Sequence, residues 1–328
     1  MTIMYELVKA KLENFQTGTD LEKAKLENSP TVNRFVDLLT KNPSGWFFVK
    51  KWIEQEERTP LLVVNGEFNA ENMRNNLLGL AGTHYLRRPA FDFLYWINEL
   101  DETQANQMNN FLLELLHNEI LIPKKEVLCY CPSCGLASLI LLKDLDSFTN
   151  ETCQKCEGIK LRQILSSTLN DELKRSIWNG QLLEIYITRL LKKEGIKFIG
   201  GHANGYECFT SIRYNTPHGE GEVDSIGMAG NSVIFIENKM TALNLTDFRK
   251  ESEVFDDIFE KLHREIPNLN KLKVFIAFRI DKNIETSNYP DCHFINLFEE
   301  GNIGKSIKDK VLKAGSQETI DDYLKSMK

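Results

Sequence analysis

The pattern of apolar and polar positions changes period several times along the chain, and these changes outline its elements. Near the start, Tyr5, Val8, Leu12 and Phe15 recur at helical spacing. T-D-L-E-K-A-K-L-E follows Gly18 and closes at Asn28-Ser29-Pro30; T-V-N-R-F-V-D-L-L-T repeats the helical pattern up to Asn42-Pro43-Ser44-Gly45. W-F-F-V-K-K-W-I and P-L-L-V-V-N-G-E-F are rich in β-branched and aromatic residues and predict strands. Three helical segments follow, A-E-N-M-R-N-N-L-L-G-L-A-G, D-F-L-Y-W-I-N-E-L and Q-M-N-N-F-L-L-E-L-L-H, and then the strand-like I-L-I-P-K-K-E-V-L. A helix ahead of a strand pair makes a winged helix a candidate for this region.

After a polar join, S-S-T-L-N-D-E-L-K, a helix runs from Gly180 to Gly195. Short strands follow, I-K-F-I-G-G-H-A and Y-E-C-F-T-S-I-R-Y-N, and then the turn-forming loop N-T-P-H-G-E-G. The stretch from Gly219 to Met240 reads as two strands joined by a Gly-rich connection. The first ends in Glu222-Val223-Asp224, the second is Val233-Ile234-Phe235-Ile236 followed by Glu237-Asn238-Lys239. A helix with the stripe Phe248, Phe255, Ile258, Phe259 and Leu262, two short strands (K-V-F-I-A-F and H-F-I-N-L) and a polar tail complete the chain.

Period two puts alternate strand residues on one face. Glu222 and Asp224 therefore share a face, and so do Glu237 and Lys239. If the two strands pair, acids and a lysine converge at one end of a sheet, directly against a β-branched and aromatic run. On the upstream helix Gly180, Glu184, Ile187 and Leu191 fall on one line, so Glu184 sits on an apolar edge. A carboxylate there needs a partner, either a salt bridge to a neighbour or a metal ion.

The 328 residues suffice for two or three domains, and a hydrophobic share of 42% is ordinary for a globular protein. No run of apolar residues is long enough to span a membrane, and the N-terminus lacks the design of a secretory signal, so a cytoplasmic location is expected. The net charge of −7 argues against broad, non-specific nucleic-acid binding; a nucleic-acid enzyme with this balance needs a local positive groove. Cys131-x-x-Cys134 and Cys153-x-x-Cys156, 18 residues apart, have the spacing of four thiolates around one tetrahedral Zn²⁺, and resemble a zinc ribbon. Such a closed site leaves no position for water, so its zinc is expected to be structural. Cys129 reads as a small buried residue.

The order helix acid, V-D, apolar strand, E-N-K resembles the PD-(D/E)xK (restriction-endonuclease-like) nuclease superfamily over about residues 175–298. The resemblance matches Asp224 to the acid of the first motif, Glu237 and Lys239 to the E-x-K pair, and Glu184 to a helix acid; Val223 stands where proline gives the superfamily its name. It implies an α/β nuclease core, with Glu184, Asp224 and Glu237 as ligands of catalytic Mg²⁺ or Mn²⁺ and Lys239 at the attacking water or transition state. Glu222 is the alternative ligand, and His218 could assist. The expected organisation is a mainly helical α+β recognition domain over 1–125, a zinc ribbon over 126–165 and the nuclease domain over 170–328. The expected function is metal-dependent hydrolysis of DNA, ahead of RNA, in phage defence or restriction, with a homodimer or a defence-complex partner compatible with it. The alternative is a non-enzymatic nucleic-acid-binding or regulatory protein on a nuclease-like scaffold.

Overall fold

The computed structural model describes residues 2–42, 45–54, 61–63, 110–111, 114–115, 117–130, 137–141, 152–153, 156, 159, 162–216 and 219–297. In chain order these form helix α1 (Thr2–Phe15), strand β1 (Gln16–Thr19), α2 (Leu21–Glu27), α3 (Pro30–Lys41), α4 (Gly45–Glu54), β2 (Leu61–Val63), β3 (Leu121–Tyr130), β4 (Ala137–Leu141), β5 (Arg162–Leu169) and α5 (Asp171–Trp178). Then come α6 (Gln181–Lys193), β6 (Lys197–Ile199), β7 (Gly201–Ala203), β8 (Tyr206–Cys208), β9 (Ile212–Thr216), β10 (Gly219–Val223), β11 (Ser225–Ala229), β12 (Ser232–Leu243), α7 (Leu245–Glu265), β13 (Asn270–Ile280) and β14 (Cys292–Asn296). The protein is thus mixed α/β with several sheets. Among the described residues no helix is long and apolar enough to cross a membrane.

The chain divides into two compact units, one of Met1–Pro43 with Arg175–Lys328 and the other of Ser44–Lys174. This differs from the three consecutive domains read from the sequence, because the first helices belong with the second half of the chain. Val8 and Leu12 of α1 are fully buried in the same core as Phe255, Ile258 and Leu262 of α7. Helix α2 is capped by Asp20, whose carboxylate accepts from Glu22 N and Lys23 N, and α3 by Ser29 ahead of Pro30 at its first position.

In the first unit the main sheet has the order β14-β13-β12-β11-β6 among the described residues. Strands β12, β13 and β14 run parallel; β11 and β6 join antiparallel. Helix α7 lays Phe248, Phe255, Ile258 and Leu262 on one side of it, with Phe255 stacked on Phe235 at 5.3 Å between ring centroids. Helix α6 is buried almost continuously from Gln181 to Thr188 and packs against α3 and β12. A second sheet, β1-β9-β10, is antiparallel.

In the second unit β2, β5, β3 and β4 form an antiparallel sheet in that order. W-F-F-V-K-K-W-I, read as a strand, is helix α4: Trp46, Val49 and Trp52 are buried at three-residue spacing, and tertiary packing of that stripe overrides the β-propensity of its residues. The polar join contains strand β5 and helix α5. Cys131, Cys134, the C-terminal tail and the segments A-E-N-M-R-N-N-L-L-G-L-A-G and D-F-L-Y-W-I-N-E-L of the winged-helix candidate lie outside the described residues. Tyr130 and Arg162, where the chain enters and leaves the cysteine-bearing stretch, are paired across β3 and β5. Cys153 is buried, and its amide donates to Ile159 O at 2.8 Å.

Candidate active site

The hairpin of β11 and β12 sets the geometry. The stretch read as a Gly-rich connection is itself strand β11, and only Gly230 and Asn231 make the turn, with Ala229 facing Ser232. Gly230 has φ 59°, the left-handed backbone that such a tight turn requires. Ser225 faces Ile236, so the next positions outward, Asp224 and Glu237, come opposite each other at the end of the ladder. Asp224 occupies the join between β10 and β11, where the chain passes from the small sheet to the main one. Its Oδ2 accepts the Asn238 amide at 2.6 Å and its carbonyl accepts Ser211 N at 2.9 Å. Lys239 shares the Glu237 face, and its Nζ lies 2.6 Å from Glu237 Oε1. Just beyond Lys239 the register of β12 on β13 shifts, an irregularity that interrupts the pairing next to the site until it resumes at Ala242.

Glu184 arrives from the first turn of α6. The helix starts after Gly180, whose φ of 76° suits glycine. Glu184 is buried, and its Oε2 accepts the Ser211 hydroxyl at 2.6 Å. Ser211 is itself buried, with a φ of 52° that is uncommon for a residue with a side chain. Its Oγ accepts from Lys23 Nζ of helix α2 at 2.9 Å, and the same ammonium pairs with Glu222. Glu222 stands opposite Arg213 on β9 and is also 3.7 Å from the Arg213 guanidinium.

Burial governs the charge states. Loss of water pushes the Asp224 carboxyl from its ordinary 3.8 up to about 6, against the pull of the Asn238 amide, Lys239 and Lys23. Glu184 and Glu237 are raised well above 4.5, first by desolvation and then by the Asp224 carboxylate. Burial would lower Lys239, but Glu237 outweighs it and the ammonium is held protonated; for Lys23 Glu184 and Glu222 do the same. Glu251 of α7, 13% exposed at its side chain, is raised by burial and faces Lys239. Three nearly buried carboxylates and two lysines make a cation-seeking pocket of charge, the arrangement expected where a site must hold ionised groups out of water.

No family model matches the chain, and neither does any curated protein. Solved structures with some likeness include the protein VC1899 from Vibrio cholerae, 14% identical with a TM-score of 0.35, over 88% of this chain and 57% of that one. Another is Can2 from Sulfobacillus thermosulfidooxidans in complex with cyclic tetra-adenylate, 11% identical with a TM-score of 0.38, over 94% of this chain and 59% of that one. The chain therefore spans under two thirds of the length of either.

Of the residues singled out in the sequence, the fold brings Glu184, Asp224, Glu237 and Lys239 into one region. Asp224 is electrostatically coupled to both glutamates: its carboxylate raises Glu184 and Glu237 alike. Among the described residues no three His, Cys, Asp or Glu side chains converge as a ready-made metal cage. His218 lies outside the described residues. Lys23, Ser211 and Glu251 escaped the sequence reading. Glu251 had a visible signal, since it falls at i+3 from Phe248 and i−4 from Phe255 on the buried stripe of α7. Lys23 had none: in L-E-K-A-K-L-E it looks like any solvated helix lysine.

Proposed function

We propose that this protein is a metal-dependent nuclease that hydrolyses phosphodiester bonds of nucleic acid, DNA ahead of RNA, with Asp224, Glu237, Glu184 and Lys239 as its site. The observation that carries the reading is the juxtaposition of Asp224, Glu237 and Lys239 at the buried end of the β11–β12 ladder. These are the three residues that the sequence resemblance matches to the motifs of the superfamily, with Val223 in place of its proline. Phage defence or restriction is the setting that this resemblance suggests.

The donor set suits Mg²⁺ or Mn²⁺. Carboxylate oxygens are hard ligands, and Mg²⁺ keeps several waters while taking one or two carboxylates plus substrate phosphate, so a cage of three converging side chains is not required. Asp224 and Glu237 would hold the ion, with Glu184 as the further ligand from α6. When bound, the ion lowers the pKa of a coordinated water and offsets charge developing on the phosphoryl oxygens.

The chain's own residues do the rest. The Asn238 amide fixes one Asp224 oxygen, and Ser211 fixes one of Glu184. Lys239, protonated and anchored on Glu237, presents N–H donors to the attacking water or to a phosphoryl oxygen as its charge grows. The four cysteines Cys131, Cys134, Cys153 and Cys156 would hold a structural Zn²⁺ apart from this chemistry, and residues outside the first unit would supply recognition.

Full-length protein with Mg²⁺ or Mn²⁺ should cleave DNA or RNA, and chelation should stop it. Lys239→Met should lower kcat by on the order of 100-fold or more, the scale of one transition-state donor, and Asp224→Asn should abolish cleavage. Nucleic-acid binding without metal-dependent cleavage, over single- and double-stranded DNA and RNA, would instead assign the fold a non-enzymatic role as scaffold.

A further inference from the structure

Lys23 enters the site from α2, about 160 residues before Glu184, and reaches it by a directed pair of hydrogen bonds. Its ammonium donates to Ser211 Oγ at 2.9 Å, and Ser211 Oγ donates to Glu184 Oε2 at 2.6 Å. An ammonium has donors only, so Ser211 Oγ must accept from Lys23, and with Glu184 ionised the one serine proton goes to its carboxylate. Ser211 is locked by its own amide on Asp224 O at 2.9 Å, and it holds a φ of 52° to make all three contacts. Strain of this kind persists where the surroundings over-determine a residue. The other contact of Lys23, with Glu222, joins side chains 20% and 33% exposed and is screened by water. The serine and Glu184 are 0% and 3% exposed, so this arm of the contacts of Lys23 runs into the buried part of the site.

We propose that Lys23 is a positioning residue for Glu184, acting through the hydroxyl of Ser211. The ammonium orders the serine proton, and the serine fixes the carboxylate beside Asp224. Its catalytic consequence rests on the nuclease reading; the relay itself does not.

The test is a double-mutant cycle on full-length protein, read first as melting temperature in chelator, where no activity is needed. Lys23→Met and Ser211→Ala are each expected to lower Tm. The drop caused by Lys23→Met should shrink to less than about half once Ser211 or Glu184 has been changed (Ser211→Ala, Glu184→Gln), because coupled residues do not add. Additive drops would overturn the relay. Should Ser211→Ala fail to fold, Ser211→Gly, which suits the positive φ, takes its place.

The second readout is cleavage with Mn²⁺. Lys23→Met should lose on the order of tenfold or more in kcat with KM little changed, and Lys23→Arg, which keeps the cation, should recover most of it. Wild-type kcat in Lys23→Met would overturn the positioning role. A wild-type protein that cleaves nothing would count against the nuclease reading alone, and the stability cycle would still decide the relay.

Discussion

The ammonium of Lys239 lies 2.6 Å from the carboxylate of Glu237, two residues back on the same strand face. Lys239 beside Glu237, with Lys23 acting on Glu184, leaves three buried carboxylates short of positive charge. Burial favours their neutral forms, so their folded pKa values stand above the unfolded ones: Asp224 at about 6 against 3.8, Glu184 and Glu237 well above 4.5. For a raised carboxyl the penalty on the fold is absent below the unfolded value, where both states are protonated. It grows as pH rises towards the folded value, where the native state must ionise in place. Without metal, stability should therefore fall between about pH 4 and pH 7, by on the order of 3 kcal/mol from Asp224 alone. Melting temperatures in chelator across this range check it, and Asp224→Asn should flatten the slope. An unchanged slope in that variant would remove Asp224 from the account, and Mn²⁺ should restore Tm most at the high-pH end.

Helix α7 sits so close to β10 that a β-carbon on Gly221 would lie 2.6 Å from Cγ1 of Val254. A branched side chain near its own backbone cannot swing away, so the helix or the strand must shift. Gly221→Ala should destabilise by about 1–3 kcal/mol. Since β10 leads straight into Asp224, cleavage should fall beyond what unfolding explains. Val254→Ala in the Gly221→Ala background should recover part of the loss in a denaturant melt; no recovery would place the strain elsewhere.

A fragment of residues 170–328, the nuclease domain as bounded by sequence, should fail to fold alone. It lacks Val8 and Leu12, both fully buried against α7, and the Tyr5 hydroxyl on Phe198 O at 2.9 Å. It also lacks the partners of Arg189, whose guanidinium bonds Asn33 O at 3.1 Å and Asp37 at 2.7 Å. Burying one large aliphatic side chain contributes about 1.5–3 kcal/mol, so two such losses approach the whole stability of a domain. Circular dichroism should show no cooperative melt for the fragment, and a peptide of residues 1–43 added in trans should restore one. A cooperative transition in the fragment by itself would show that α1 to α3 are dispensable.

The site was legible where chemistry and periodicity coincide. Glu237 and Lys239 end an apolar strand, and Glu184 interrupts an apolar helix edge; both patterns survive in the structure because each is local. Strand β11 was missed because Ser225, Gly227 and Ala229 carry little β-propensity; the burial of the strand from Ser225 to Met228 is dictated by neighbours on β6 and β12. Helix α4 was misread for the opposite reason, since its aromatic and β-branched content resembles a strand while its burial follows a helical stripe. Lys23 and the placement of residues 1–43 depend on contacts that span more than 150 positions, and no window of sequence carries them.

The insertion of one compact unit within the other also fixes an order of events during synthesis. Helices α1 to α3 emerge first, but Val8 and Leu12 of α1 have no core to bury until α7 follows, more than 200 residues later, and α3 has none until α6, more than 100 residues on. At ribosomal speeds of about 5–20 residues per second they must wait on the order of ten seconds or longer with their apolar stripes uncovered. The link from Lys23 to Glu184 closes only after Ser211 has emerged. Any charged cluster built from both halves of the split unit therefore assembles late, after the inserted unit has left the ribosome, and a truncated chain cannot carry a complete one.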